Sequence, residues 1–133
     1  MSIQATNMPL TKTLKIGIAS LADYKARTLA IARGERKSSK EEPKVWFQSM
    51  ESFAKVLSDR NRALLATIAV THPRSVNELA ERTGRAPSNL SRTLRTMERY
   101  GLVQFEKGEG KARVPTVPYS EFVLDVSLAG EPA

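Results

Sequence analysis

Arg92, Arg95 and Arg99 recur at helical spacing, with Ser88 one turn before them, in a stretch where Leu90, Leu94 and Met97 keep the same period. At about 100° per helical residue, the three apolar residues fall within about 60° of one another. The arginines and Ser88 fill an arc of similar width on the opposite side, flanked by Ser91 and Asn89. A guanidinium holds two acceptors at once, an Asn amide presents a donor and an acceptor side by side, and a hydroxyl bonds to either kind of group. These side chains suit an acceptor-rich polyanion, and a helix carrying them fits the major groove of duplex DNA. The start of such a helix reaches base edges and its end lies nearer the backbone. Ser88, Asn89, Ser91 and Arg92 are therefore expected at bases, and Arg85, Arg95 and Arg99 at phosphates. Lys107, Lys111 and Arg113 surround a Gly108-Glu109-Gly110 turn, where they could touch the minor groove or the backbone. An arginine-bearing helix face is, taken alone, an ordinary solvated surface, so the surrounding elements decide its weight.

Those elements come in a telling order. Ser58 or Asp59 caps a helix running to about Thr71 and stopped by Pro73. Ser75-Val76-Asn77-Glu78 forms a capping box that opens a helix to Thr83, and Gly84 breaks it. Pro87 opens the arginine-bearing helix, which runs to Tyr100 with Gly101 at its C-terminus. Leu102–Glu106 and Ala112–Val117 read as two strands of a hairpin. Helix, helix, Gly-containing turn, helix and hairpin make a winged helix-turn-helix. Upstream, Leu14, Ile16 and Ile18 alternate as a strand. Ser20 opens a helix to Arg33, with Leu21, Tyr24, Thr28 and Ile31 on one side and Gly34 at its end. Glu35–Pro43 reads as a polar linker, Val45–Phe47 as a short strand, and Ser49 caps a helix to Leu57. Phe122 to Leu128 alternate as a last strand. The expected fold class is α+β, a winged helix-turn-helix plus a small N-terminal strand-helix element. The expected segments are a strand-helix-strand extension at 1–48, the winged domain at 49–118, and a C-terminal strand with an acidic tail at 119–133.

The segment SVNELAERTGRAPSNLSRTLRTMERYGLVQFEKGEGKAR, Ser75 to Arg113, resembles the winged-helix core of the MarR and ArsR regulator superfamily. Within it, LSRTLRTMERYGLV resembles that superfamily's recognition helix and its exit into the wing. Together with TLKIGIAS, DYKARTLAIARGE and PKVWFQSMESFAKVLSDRNRALL, the chain resembles small regulators of bacteria and archaea, several of them similar to antitoxins of TumE-type toxin–antitoxin pairs. The resemblance implies an autorepressor and antitoxin that forms a homodimer and binds a small protein toxin. The chain lacks the long C-terminal dimerisation helix of ligand-sensing MarR proteins, so Leu14–Phe47 and Phe122–Leu128 become the candidates for dimer or toxin contacts. Those two strands could equally close one sheet beside the core.

Composition narrows the alternatives. With 133 residues, 41% of them hydrophobic, the chain can build one core with a small addition. No cysteine is present, which removes disulfides and thiolate metal sites. His72 is the only histidine and reads as a helix-end residue, so no metal or other cofactor is expected. Glu41-Glu42 and Glu78/Glu81 read as solvated charge, Trp46-Phe47 as core or interface, and no constellation suggests an enzyme. No apolar run spans a bilayer and no secretory signal is legible, so a cytoplasmic protein without a membrane partner is expected. The formal net charge of +7 draws polyanions, nucleic acid first. Met1–Gln48 carries most of it, and the residues after Arg113 are net acidic.

Overall fold

The computed structural model describes residues 12–36 and 42–126. The loose terminus expected before Lys12, much of the expected linker, and Leu128 with the acidic tail lie outside the described residues. The elements in chain order are β1 (Thr13–Ile18), α1 (Leu21–Ala32), β2 (Val45–Phe47), α2 (Met50–Val56), α3 (Asp59–Thr71), α4 (Val76–Thr83), α5 (Pro87–Tyr100), β3 (Gln104–Lys107), β4 (Arg113–Thr116) and β5 (Glu121–Asp125). The class is α+β. The chain divides into two compact units: Val56–Glu121 forms one, and Leu14–Lys55 with the strand from Phe122 forms the other. Ser49–Lys55, assigned from sequence to the winged segment, goes with the N-terminal unit.

In the winged unit, local sequence sets each helix boundary. Ser58 Oγ accepts from the Asn61 amide (3.2 Å) to start α3, and Ser75 Oγ accepts from the Glu78 amide (3.0 Å) to start α4. Glu78 reaches back past the cap and accepts from the Arg74 amide at 2.8 Å, tying the residue before the cap to the first turn, while each serine satisfies one orphan donor of its helix. α3 ends on His72 and α4 on Gly84, both left-handed. The helices bury Leu64, Leu65, Ile68, Leu79, Leu90, Leu94 and Met97, and each such side chain removed from water is worth about 1.5–3 kcal/mol. Leu102 and Val103, expected in the first wing strand, are instead buried just before it. The Leu102 amide bonds back to the Met97 carbonyl (2.9 Å) behind the left-handed Gly101, so Leu102 belongs to the helix stop. β3 and β4 then pair antiparallel, with Gln104 opposite Thr116 and Lys107 opposite Arg113.

In the other unit, β1 and β2 pair in parallel, with Gly17 opposite Trp46, and α1 connects them. The strand order is β2-β1-β5, so the first and last strands do share one sheet. Leu14, Ile16, Val45 and Phe47 are buried. Ser20 caps α1 through the Asp23 amide (3.1 Å), but α1 has no fully buried residue. Leu21, Tyr24 and Thr28, grouped on one side by helical spacing, are exposed. Arg27 turns inward instead: its guanidinium lies 5.1 Å from the Trp46 ring and pairs with Glu42, which Arg36 also approaches at 3.6 Å. Glu42 is thus an ion-pair centre rather than solvated charge.

Candidate nucleic-acid interface

α5 is built to hide one side and show the other. Leu90, Leu94 and Met97 are each 0% exposed, whereas Ser88, Asn89, Arg92, Arg95 and Arg99 are all exposed and Ser91 is half-buried. The structure therefore brings together on one helix face six of the ten side chains singled out from sequence. Arg99 reaches back to Thr96 Oγ1 at 3.3 Å.

The start of α5 differs from those of α1, α3 and α4. Those helices each have a serine cap and an acidic residue in the first turn. α5 opens on Ala86 and Pro87, with no side-chain cap bond and no acid in its first turn. The positive end of its dipole and its first-turn amides stay available to an anion beside Ser88 and Asn89.

The wing supplies a second basic feature. Its loop is closed by the Gly108 amide to the Ala112 carbonyl (3.0 Å) and the Ala112 amide to the Glu109 carbonyl (3.0 Å), with Gly110 left-handed. Lys107 and Lys111 flank this tip and are exposed. Arg113 is committed elsewhere: its guanidinium stacks 4.2 Å from the Phe105 ring and meets Glu98 of α5 at 3.4 Å. It braces the wing against α5 while its side chain stays exposed.

Arg85 departs most from expectation. It is only 8% exposed, and its side chain turns toward α3, donating to the Arg60 carbonyl (3.0 Å) and to Asn61 Oδ1 (3.2 Å). Burial first, then the nearby Arg60 charge, lower its pKa from the ordinary arginine value. Arg85 is thus a tie between α3 and the turn before α5, with two of its five N–H donors spent on α3. Asn61, which sequence reading passed over, completes that tie by donating its amide to the Val56 carbonyl at 3.0 Å. Its only sequence signal was its place in the first turn of α3.

Among the described residues no group of three or more His, Asp or Glu side chains could hold a metal ion, and no helix is long and apolar enough to cross a membrane. A family model described as HVO_A0114 matches residues 56–124, nearly the span of the winged unit. Among solved structures, the chain is similar to a predicted DNA-binding transcriptional regulator from E. coli, at 18% identity and a TM-score of 0.44, covering 76% of this chain and 86% of that one. No curated protein matches.

Proposed function

We propose that this chain, which belongs to the HVO_A0114 family, is a sequence-specific regulator that binds duplex DNA through α5 and the wing and represses its own gene. One observation carries the reading. A helix with a fully buried apolar stripe exposes Ser88, Asn89, Arg92, Arg95 and Arg99 behind an uncapped, acid-free N-terminus. Ser88, Asn89, Ser91 and Arg92 contact base edges, Arg95 and Arg99 contact phosphates, and Lys107 and Lys111 contact the backbone or minor groove. This assignment leaves Arg85 and Arg113 to hold the turn and the wing in place. The chemistry is binding, and no step of catalysis is assigned to it.

The test is fluorescence anisotropy with the DNA upstream of its own gene and a scrambled duplex of equal length, at two salt concentrations. Tighter binding to the native duplex, with Arg92→Ala costing about 1–3 kcal/mol there and little on the scrambled one, is the expected result. Equal weak binding to both duplexes overturns the reading.

A second reading concerns the other unit. α1 exposes Leu21 and Leu29, each 51% accessible, and Tyr24, apolar surface that a second chain would cover. A homodimer of the repressor uses it in the simplest case. In an antitoxin resembling the TumE-associated proteins, a small protein toxin occupies it instead. Sedimentation of the pure chain and of a Leu21→Lys/Leu29→Lys variant separates these: a dimer that becomes a monomer supports self-association. A wild-type monomer that co-purifies with the product of a neighbouring small gene supports the toxin.

A further inference from the structure

Within the winged unit, Arg60 from the first turn of α3, Arg82 from the last turn of α4, and Arg85 from the turn that follows line one cleft of about 250 Å³, and no residue of α5 is among its lining. Its volume holds several waters at about 30 Å³ each and falls below the ~300 Å³ where drug-sized pockets begin, so a compact occupant is indicated. Thr67 and Thr83 also line it, but their hydroxyls already donate to the Ala63 and Leu79 carbonyls, at 3.0 and 2.9 Å. The donors left to an occupant are therefore guanidinium N–H groups.

The charge balance is uneven. No acidic residue lines the cleft. Among the described residues, Glu78 approaches only Arg82, at 3.9 Å, and Asp59 is taken by Arg62. Arg60 has no carboxylate partner among the described residues. Arg85 spends one N–H on the Arg60 carbonyl and one on Asn61, which leaves three of its five. Two guanidiniums close enough for Arg60 to weigh on the ionisation of Arg85 repel each other until an anion sits between them.

We propose that this cleft is a binding site for a phosphate-class oxyanion, held by the guanidiniums of Arg60, Arg82 and Arg85. Guanidinium forks match the oxygens of phosphate in pairs, and the buried Arg85 is fixed in advance by its two bonds to α3. The same chemistry is offered by a free phosphorylated compound and by one phosphate of a nucleic-acid backbone. None of the residues assigned to base reading lines this cleft, so its test does not depend on base recognition by α5.

The experiment uses the full chain and inorganic phosphate, against chloride at matched ionic strength, read by thermal melting and calorimetric titration. R60Q/R82Q is the diagnostic variant: both side chains are surface-accessible, and the Arg60 carbonyl that holds Arg85 is retained. Phosphate is expected to raise the wild-type melting temperature, and the variant to need at least tenfold more phosphate for the same shift. A random-sequence duplex is titrated in parallel. Unchanged duplex affinity in the variant identifies a free oxyanion as the ligand. Weakened duplex binding with a shallower salt dependence, relieved in the wild type by competing phosphate, identifies a backbone phosphate. A wild type that neither gains stability from phosphate nor differs from the variant on the duplex overturns the proposal.

Discussion

A guanidinium costs little at a surface and much in an interior, unless every donor it turns inward meets an acceptor. Arg85 and Arg92 stand on either side of that divide. Arg92 is exposed, so Arg92→Ala is expected to leave stability within about 0.5 kcal/mol of wild type while weakening DNA. Arg85 depends on Asn61 Oδ1 and the Arg60 carbonyl. Asn61→Ala removes one of those acceptors and also the donor to Val56, and is expected to cost about 1–3 kcal/mol, read as a lower urea midpoint with an unchanged slope. A loss below about 0.5 kcal/mol would remove Asn61 and Arg85 from the structural account. His72 makes the converse case. It closes α3 at φ 50, the one non-glycine residue with positive φ among those described. A side chain in that region carries about 1–2 kcal/mol of strain. His72→Gly relieves it at the expense of a freer unfolded chain, and is expected to raise stability by up to about 1 kcal/mol. A lowered melting temperature would show that the imidazole makes compensating contacts.

At the scale of elements, the bare start of α5 separates stability from binding. Ala86 already has the extended backbone of an N-cap, φ −64 and ψ 135. Ala86→Ser and Ala86→Asp should each stabilise the fold by about 0.5–2 kcal/mol. Only the aspartate puts a negative charge where a phosphate would approach, so Ala86→Asp is expected to lose DNA affinity while Ala86→Ser keeps most of it. Equal affinity in both variants would place the DNA away from this helix end. Such caps are also where sequence was most legible, because a capping box is written within four residues. The Ser20 and Ser75 caps and the buried stripe of α5 followed from local spacing alone, and for α3 spacing left Ser58 and Asp59 as the two choices. What escaped was set by residues far apart in the chain. Arg85 meets Asn61 across 24 positions, whereas the pairing of β5 with β1 was one of two readings the sequence left open. Arg27, which no local pattern singles out, lies 5.1 Å from the Trp46 ring. Leu102 and Val103 have strand composition, but they follow the left-handed Gly101 cap and are buried before β3 begins. Of the candidate site, the α5 face and the wing tip were readable. The inward turn of Arg85 and the brace made by Arg113 were not, because side-chain direction after a turn is fixed by what packs against it.

At the scale of the whole molecule, net charge and binding charge are different quantities. The formal +7 is concentrated before Ser49 by simple count, yet Arg27 and Arg36 of that region already meet Glu42. Salt dependence of DNA binding counts the phosphates neutralised at the interface, with a slope of about −0.9 per phosphate on duplex DNA. Charges beyond a Debye length of about 8–10 Å add little at ordinary salt. Two double variants with the same loss of net charge should therefore behave differently if the interface is α5 and the wing. Lys107→Gln/Lys111→Gln is expected to make the slope of log K against log salt shallower by about 1.8, two phosphates' worth, and to weaken native and scrambled duplexes alike. Lys25→Gln/Arg33→Gln, at exposed positions of the other unit, is expected to leave that slope unchanged within error. If the second pair flattens the slope as much as the first, the N-terminal unit shares the DNA. The basic count before Ser49 would then be part of the interface, and the α5 face and wing tip would account for only a portion of the binding.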